Sequence, residues 1–216
     1  MNVTFRSSAA GDAFIGNPFS TRHTRPGALA PLDAVGRPVD VAGLCKRLAS
    51  QGGSGAIVGA HGSGKTTLLD ALARGIEARG GPVARRRIRT AADGLRAMRA
   101  VWRAPAGGTV CIDSWERMGA ISSRLTALLA RAVGCHLLVT SHRPTSVPTL
   151  IVCETSPSLL AAIVGRLPGL DQQNDDIISG ADIETAFRHH AGNIRESLYE
   201  LYDRFEERIR RPPIRL

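Results

Sequence analysis

Gly59-Ala60-His61-Gly62-Ser63-Gly64-Lys65-Thr66 fits the spacing G-x-x-x-x-G-K-[ST], that of a phosphate-binding loop. Its glycines let backbone N–H groups converge on phosphate oxygens, and the following helix adds the partial positive charge of its N-terminus. Lys65 is the telling residue. Of the 28 lysines and arginines in the chain, only Lys46 and Lys65 are lysine. An ammonium is a compact charge on a thin stem and fits between neighbouring phosphates, whereas a planar guanidinium is too wide for a cradle of backbone amides. The expected nucleotide-binding set is Gly59, Ala60, His61, Gly62, Ser63, Gly64, Lys65, Thr66 and Thr67. In it Lys65 bridges the β- and γ-phosphates, the Thr66 hydroxyl holds Mg²⁺, and Thr67 reaches toward the α-phosphate.

The flanks carry the context that such a loop demands. Ala56-Ile57-Val58 is a short apolar strand before it. Leu68, Leu69, Leu72 and Ile76 form the buried stripe of a helix from Lys65 to about Arg79, ended by Gly80-Gly81. Upstream, Asp40 caps a helix over 41–50 with Val41, Leu44, Cys45 and Leu48 on one face. Downstream come a strand over 82–89 interrupted by arginines, a helix over 93–103, and the apolar strand Thr109-Val110-Cys111-Ile112-Asp113. A helix over 119–133 is expected to turn Ile121, Leu125, Leu128 and Leu129 inward. Strands over 136–140 and 150–153 follow. This alternation implies right-handed crossovers and a parallel sheet, an α/β three-layer sandwich.

Beyond Glu154 only helices are expected, over 158–167, 181–190 and 194–209, with Ser179 and Asn193 as N-caps and capping-box spacing from Asn193 to Glu196. The chain therefore divides into an irregular arm (1–38) with Asn17-Pro18-Phe19 as an anchor, a core (39–156), a small helical lid (157–211) and a tail (212–216).

At 216 residues the chain can bury a sizeable core, and 43% hydrophobic against 4% aromatic content makes that core aliphatic. A net charge of +9 admits an acidic partner such as nucleic acid. The basic blocks are short and rarely interleaved with aromatics, which reads as arginines spread over solvated faces. The densest are Arg85-Arg86-Arg87 with Arg89, and Arg208 to Arg211. Cys45, Cys111, Cys135 and Cys153 show no C-x-x-C pairing and read as buried reduced thiols. No signal-peptide segment opens the chain and no apolar run approaches the roughly 18 residues of a membrane span, so a cytoplasmic protein is expected.

Three further segments carry candidate chemistry. Asp113 closes its strand with a carboxylate, a position for a Mg²⁺ ligand or a helix cap. Thr140-Ser141-His142-Arg143 follows the fourth strand, where Ser141 or Thr140 can orient a water or merely cap the loop. His142 and Arg143 can sense a γ-phosphate there or be solvated. Arg195, at the start of the last helix, can swing over a nucleotide.

Taken together, residues 40 to 209 resemble an AAA+-type ATPase of the P-loop NTPase superfamily, of the small bacterial kind. Gly59 to Thr66 match the Walker A motif and Val110 to Asp113 the Walker B motif. Thr140 or Ser141 falls where the family has its sensor-1 residue, and Ala191-Gly192-Asn193-Ile194-Arg195 is similar to its sensor-2 signature, which would make Arg195 the lid arginine. The resemblance implies ATP as ligand, Mg²⁺ as cofactor, and hydrolysis. One departure matters: where the ATPase division with an extra strand between the two Walker motifs has glutamate directly after the aspartate, this chain has Ser114. Glu116, two residues on, is the remaining candidate base, or else a surface carboxylate. No arginine finger is assignable.

The leading expectation is a Mg²⁺–ATP-binding, hydrolysing switch or motor, with a protein partner or self-association behind it. The alternatives are a small-molecule or nucleoside kinase, and a non-hydrolysing ATP-gated binding module.

Overall fold

The computed structural model describes residues 16–170 and 177–210. Five strands form one all-parallel sheet: β1 (Gly55–Gly59), β2 (Val83–Arg87), β3 (Thr109–Asp113), β4 (His136–Ser141) and β5 (Thr149–Cys153). Their order across the sheet is β2-β3-β4-β1-β5. β1 and β3 are buried along their whole length, as unbroken apolar runs in a parallel sheet covered on both faces should be. β2 lies at an edge, which is where its three arginines can reach water.

Helices cover both faces. α1 (Thr21–Thr24) lies in the opening segment, ahead of α2 (Val41–Ser50) and α3 (Lys65–Glu77). α2 and α3 pack Cys45, Leu48, Leu68 and Leu72 against Ile57, Cys111 and Leu138 on one face of the sheet. α4 (Ala91–Trp102) and α5 (Ala120–Val133) pack Ala97, Val101 and Ala130 against Val58, Ile112 and Val139 on the other. Strand alternation sends neighbouring residues to opposite cores, giving three layers. The N-cap of α2 is Asp40, whose side chain accepts from Gly43 N, and α4 starts in a capping box between Thr90 and Asp93.

The buried face of α5 differs from the one that its apolar spacing predicts. Ile121 (77% exposed), Leu125 and Leu128 point to solvent, and only Leu129 of the four is partly buried. Thr126 and Ala130 are the buried residues instead. The Thr126 hydroxyl donates to Ser122 O within its own helix, so burying it leaves no polar atom unpaired. Small residues there let α5 lie close beside α4, whose own buried face is Gly94, Ala97 and Val101.

After β5 the chain is helical among the described residues: α6 (Pro157–Val164), α7 (Gly180–His189) and α8 (Ile194–Arg210). They build a separate core from Leu160, Val164, Ile183, Leu198, Leu201 and Phe205. Ser179 caps α7 in a capping box with Asp182, while Asn193 Oδ1 accepts from Glu196 N at 3.4 Å. Phe19 is 1% exposed within this helical core, with its ring edge-on to Phe205 at 6.0 Å. Asn17 Nδ2 donates to Tyr202 O and to Glu206 Oε1, so Asn17-Pro18-Phe19 does anchor the opening segment. That segment also touches the start of α6, where Ser156 Oγ donates to Ala34 O.

All four cysteines are free, three of them buried. Burial pushes the Cys111 thiol up to about 12 and the Cys153 thiol to about 11, leaving them inert at neutral pH. No helix among the described residues is long and apolar enough to cross a membrane. Arg211 and the tail lie outside the described residues, as do residues 1–15 of the arm.

Candidate functional site

Because every strand runs the same way, the ends of β1, β3 and β4 open onto one edge of the sheet. Ligands in parallel α/β sheets bind at this carboxyl edge. Here it bounds a cavity of about 880 Å³. One wall is polar and carries Lys65, Thr66, Asp113, Glu116, Thr140 and Arg195. The apolar part of the lining comes from the opening segment and the helical region, including Leu29, Leu32, Val39, Leu159, Ile163 and Leu198.

The loop from Gly59 to Gly64 leaves β1 and delivers Lys65 as the first residue of α3. Gly62 and Gly64 both adopt left-handed backbone, φ 73° and 81°, which a glycine accepts without strain. Lys65 is 8% exposed, and its ammonium folds back over the loop. Nζ lies 2.8 Å from Gly59 O, 2.5 Å from Ala60 O and 3.3 Å from His142 Nδ1. His142 Nδ1 also lies 3.2 Å from Gly59 O, so this nitrogen accepts from the Lys65 ammonium in one tautomer and donates to Gly59 O in the other. Nε2 in turn faces Glu116 Oε1 at 3.4 Å. Burial, then the neighbouring Lys65 charge, holds His142 below its usual range, so the ring is neutral at pH 7. His61 stacks on it, ring centroids 3.6 Å apart. Burial likewise pushes Lys65 below the usual ammonium range, against the pull of Glu116 and Asp113.

Asp113 is the second centre. Thr66 Oγ1 lies 3.3 Å from its Oδ1, Thr140 Oγ1 donates to the same oxygen at 2.6 Å, and Arg87 Nε pairs with Oδ2 at 3.0 Å. Among the described residues no three His, Cys, Asp or Glu side chains gather as a metal cage. Thr66 and Asp113 can therefore hold a hard divalent cation only together with oxygens of a ligand or water, which is how Mg²⁺ is usually bound.

The structure thus brings Lys65, Thr66, Asp113, Glu116 and Arg195 to one cavity, which His61, Gly62, Ser63, Gly64 and Thr67 also line. It separates Ser141 from them. The Ser141 hydroxyl accepts from Arg143 N, and the hydroxyl that reaches Asp113 belongs to Thr140. Alternation along β4 allows only one of two adjacent residues to face β3's carboxylate. Arg87 joins the site without any sequence signal: it stands level with Asp113 across the β2–β3 ladder, a register the sequence does not display. His142, one of two side chains in its loop that could face a phosphate, instead links Lys65 to Glu116. The apolar wall from residues 24–39 has no periodicity to reveal it.

The helical region closes on the loop at Gly62. A Cβ there would overlap Asn193 Oδ1 and fall 3.2 Å from Arg195 N. Gly62→Ala is expected to cost about 2 kcal/mol, from that clash and the left-handed backbone. Asn193→Gly in the same chain should recover the steric share and leave the backbone share. Chemical denaturation of the three variants reads this; a Gly62→Ala midpoint equal to wild type would show that Asn193 does not rest on the loop.

No family model matches the chain, and no curated protein gives a significant match to it.

Proposed function

We propose that this chain is an AAA+-type P-loop ATPase: it binds ATP with Mg²⁺ and hydrolyses it, and the angle between core and helical lid reports the nucleotide state. The observation that carries this reading is the meeting of Lys65, Thr66 and Asp113, from a glycine-rich loop, a helix start and a separate strand end, at the carboxyl edge of a parallel sheet. The strand order supports it, since β4 lies between β1 and β3, the extra strand of the ATPase division that the sequence resembles. The cavity suits the ligand in size and polarity, with apolar side chains in its lining for a base and Lys65 and Arg195 for phosphates.

In this reading the loop amides and Lys65 hold the β- and γ-phosphates, and Arg195 reaches the γ-phosphate from α8. Thr66 and Asp113 would hold Mg²⁺, which would supply charge neutralisation to the phosphate oxygens. Thr140 and Arg87 fix the Asp113 carboxylate. Glu116, whose Oε1 lies 3.4 Å from His142 Nε2, accepts a proton from the attacking water.

Phosphate release from MgATP, compared between wild type and Lys65→Ala, tests the reading; equal rates would overturn it. Phosphate transfer to an acceptor other than water would make the chain a kinase. Glu116→Gln should bind ATP normally and turn it over about 10²–10⁴-fold more slowly. One observation favours a second reading, a non-hydrolysing ATP-gated module: Ser114, held left-handed at φ 65°, occupies the place next to Asp113. Tight ATP binding by wild type with no turnover would select it.

A further inference from the structure

The edge strand β2 and helix α4 enclose a second groove, of about 670 Å³, on the face of the sheet away from α3. Its floor is small and apolar, with Ala84 and Ala100 among its residues, and its rim carries Arg86, Arg96, Arg99 and Arg103. Positions 96, 99 and 103 repeat at three- and four-residue spacing, so one side of α4 presents a row of guanidinium groups to the groove. Arg86 reaches the same groove from β2 because its neighbours, Arg85 and Arg87, turn away to pair with Glu77 and Asp113. Arg96 has a carboxylate partner, Asp93 at 2.9 Å, but its side chain stays 71% exposed. Among the described residues no carboxylate lies within ion-pairing distance of Arg86, Arg99 or Arg103.

Beside this row stands Trp102, 67% exposed. The chain has two tryptophans, and the other, Trp115, is fully buried. Trp102 follows Arg99 by one turn and precedes Arg103, which puts an exposed aromatic residue at the border of the groove, outside its lining. The rise along a strand of nucleic acid alternates the same two features, a phosphate and a base face, and proteins that grip single strands combine a cationic groove with stacking rings. A rim of arginine rather than lysine suits it further, since guanidinium binds phosphate through two parallel bonds and stacks on bases.

We propose that the β2–α4 groove binds single-stranded nucleic acid, with Arg86, Arg99 and Arg103 on the phosphates and Trp102 stacked on a base. The groove lies away from the Lys65 cavity and does not rest on the nucleotide reading.

The test is fluorescence anisotropy of a labelled thymidine 20-mer titrated with the full chain over a series of salt concentrations. Wild type should bind with an affinity that falls steeply with salt. Arg86→Ala/Arg99→Ala/Arg103→Ala should shallow the slope of log K against log salt by about 2, at roughly 0.7 for each single-strand phosphate that is no longer neutralised. Trp102→Ala should weaken binding about 5- to 150-fold with the slope unchanged, as stacking of one base is worth about 1–3 kcal/mol. A control, Arg47→Ala/Arg166→Ala/Arg188→Ala, removes the same charge elsewhere. An equal loss in the control would show net charge alone at work and overturn the site. So would equal or tighter binding of duplex with Trp102→Ala silent, or self-association abolished by Trp102→Ala, which would make the face a protein interface. Circular dichroism of each variant separates loss of binding from loss of fold.

Discussion

Lys65→Ala is expected to weaken MgATP binding by about 10²–10⁴-fold while leaving the thermal midpoint unchanged or raised. Hydrogen bonds to a charged group are each worth about 1.5–3 kcal/mol, and Lys65 would make at least two to phosphate oxygens, with about 1.4 kcal/mol per tenfold in affinity. Stability should move opposite to the usual direction for a buried residue. Burial pushes the ammonium below its ordinary range, so the folded chain holds that proton less tightly than the unfolded chain does. Where both forms are protonated this opposes folding, and stability rises as pH climbs through the folded value toward the unfolded one. Alanine removes the opposition. Gly59 O and Ala60 O lose their donor, but the loop borders an open cavity where water can replace it. Calorimetric titration with ATP, beside melting curves at neutral and alkaline pH, checks both halves. Unchanged affinity would remove the proposed site; a large fall in the melting point would make Lys65 a structural strut.

The elements legible in the sequence are those whose signals are local. Val41–Ser50 declares itself by the Asp40 cap and its apolar spacing, and Thr109–Asp113 by an unbroken apolar run. The loop is legible because its spacing encodes its own geometry. What stays hidden depends on partners. α5 has more apolar residues than it can bury, and the side that faces the sheet is decided by how closely α4 can approach, so Thr126 goes in and Ile121 stays out. The choice between Thr140 and Ser141 turns on which face of β4 meets Asp113, a fact of sheet order rather than of β4 itself. Along the chain the arginines look uniformly spread. In space they divide, some paired within the fold as Arg85, Arg87 and Arg208 are, others gathered unpaired at the β2–α4 groove.

Asp182→Ala should destabilise the chain by about 3–4 kcal/mol, through a residue outside the Lys65 cavity. Asp182 is 8% exposed and sits in the first turn of α7. Its Oδ2 accepts from Ser179 N at 2.8 Å and Ser179 Oγ at 2.7 Å, closing the capping box. Arg208 clasps both carboxylate oxygens, at 2.7 and 2.8 Å, and Arg204 Nη1 adds a third contact at 3.0 Å. Removing one partner of a buried pair costs about 3–5 kcal/mol, and losing a cap about 1. Arg208 keeps 43% of its side chain exposed and can turn to water, which sets the expected loss at the lower end. The hydrogen bonds from Arg208, then those from Ser179, hold this carboxyl far below the usual range. Its contribution is therefore complete above the ordinary carboxylate range and drains away as pH falls through and below that range. The wild type should lose stability on acidification, and Asp182→Ala should lose less, with the two denaturation midpoints converging at low pH. The consequence reaches the site. Asp182 joins α7 to α8, and α8 begins with Ile194 and Arg195 against Gly62. A loosened α8 should lower nucleotide affinity through Arg195, with the glycine-rich loop, Lys65 and Thr66 unaltered. If Asp182→Ala melts within about 1 kcal/mol of wild type, the arginines have found other partners and the α7–α8 clasp is not what holds the start of α8 against Gly62.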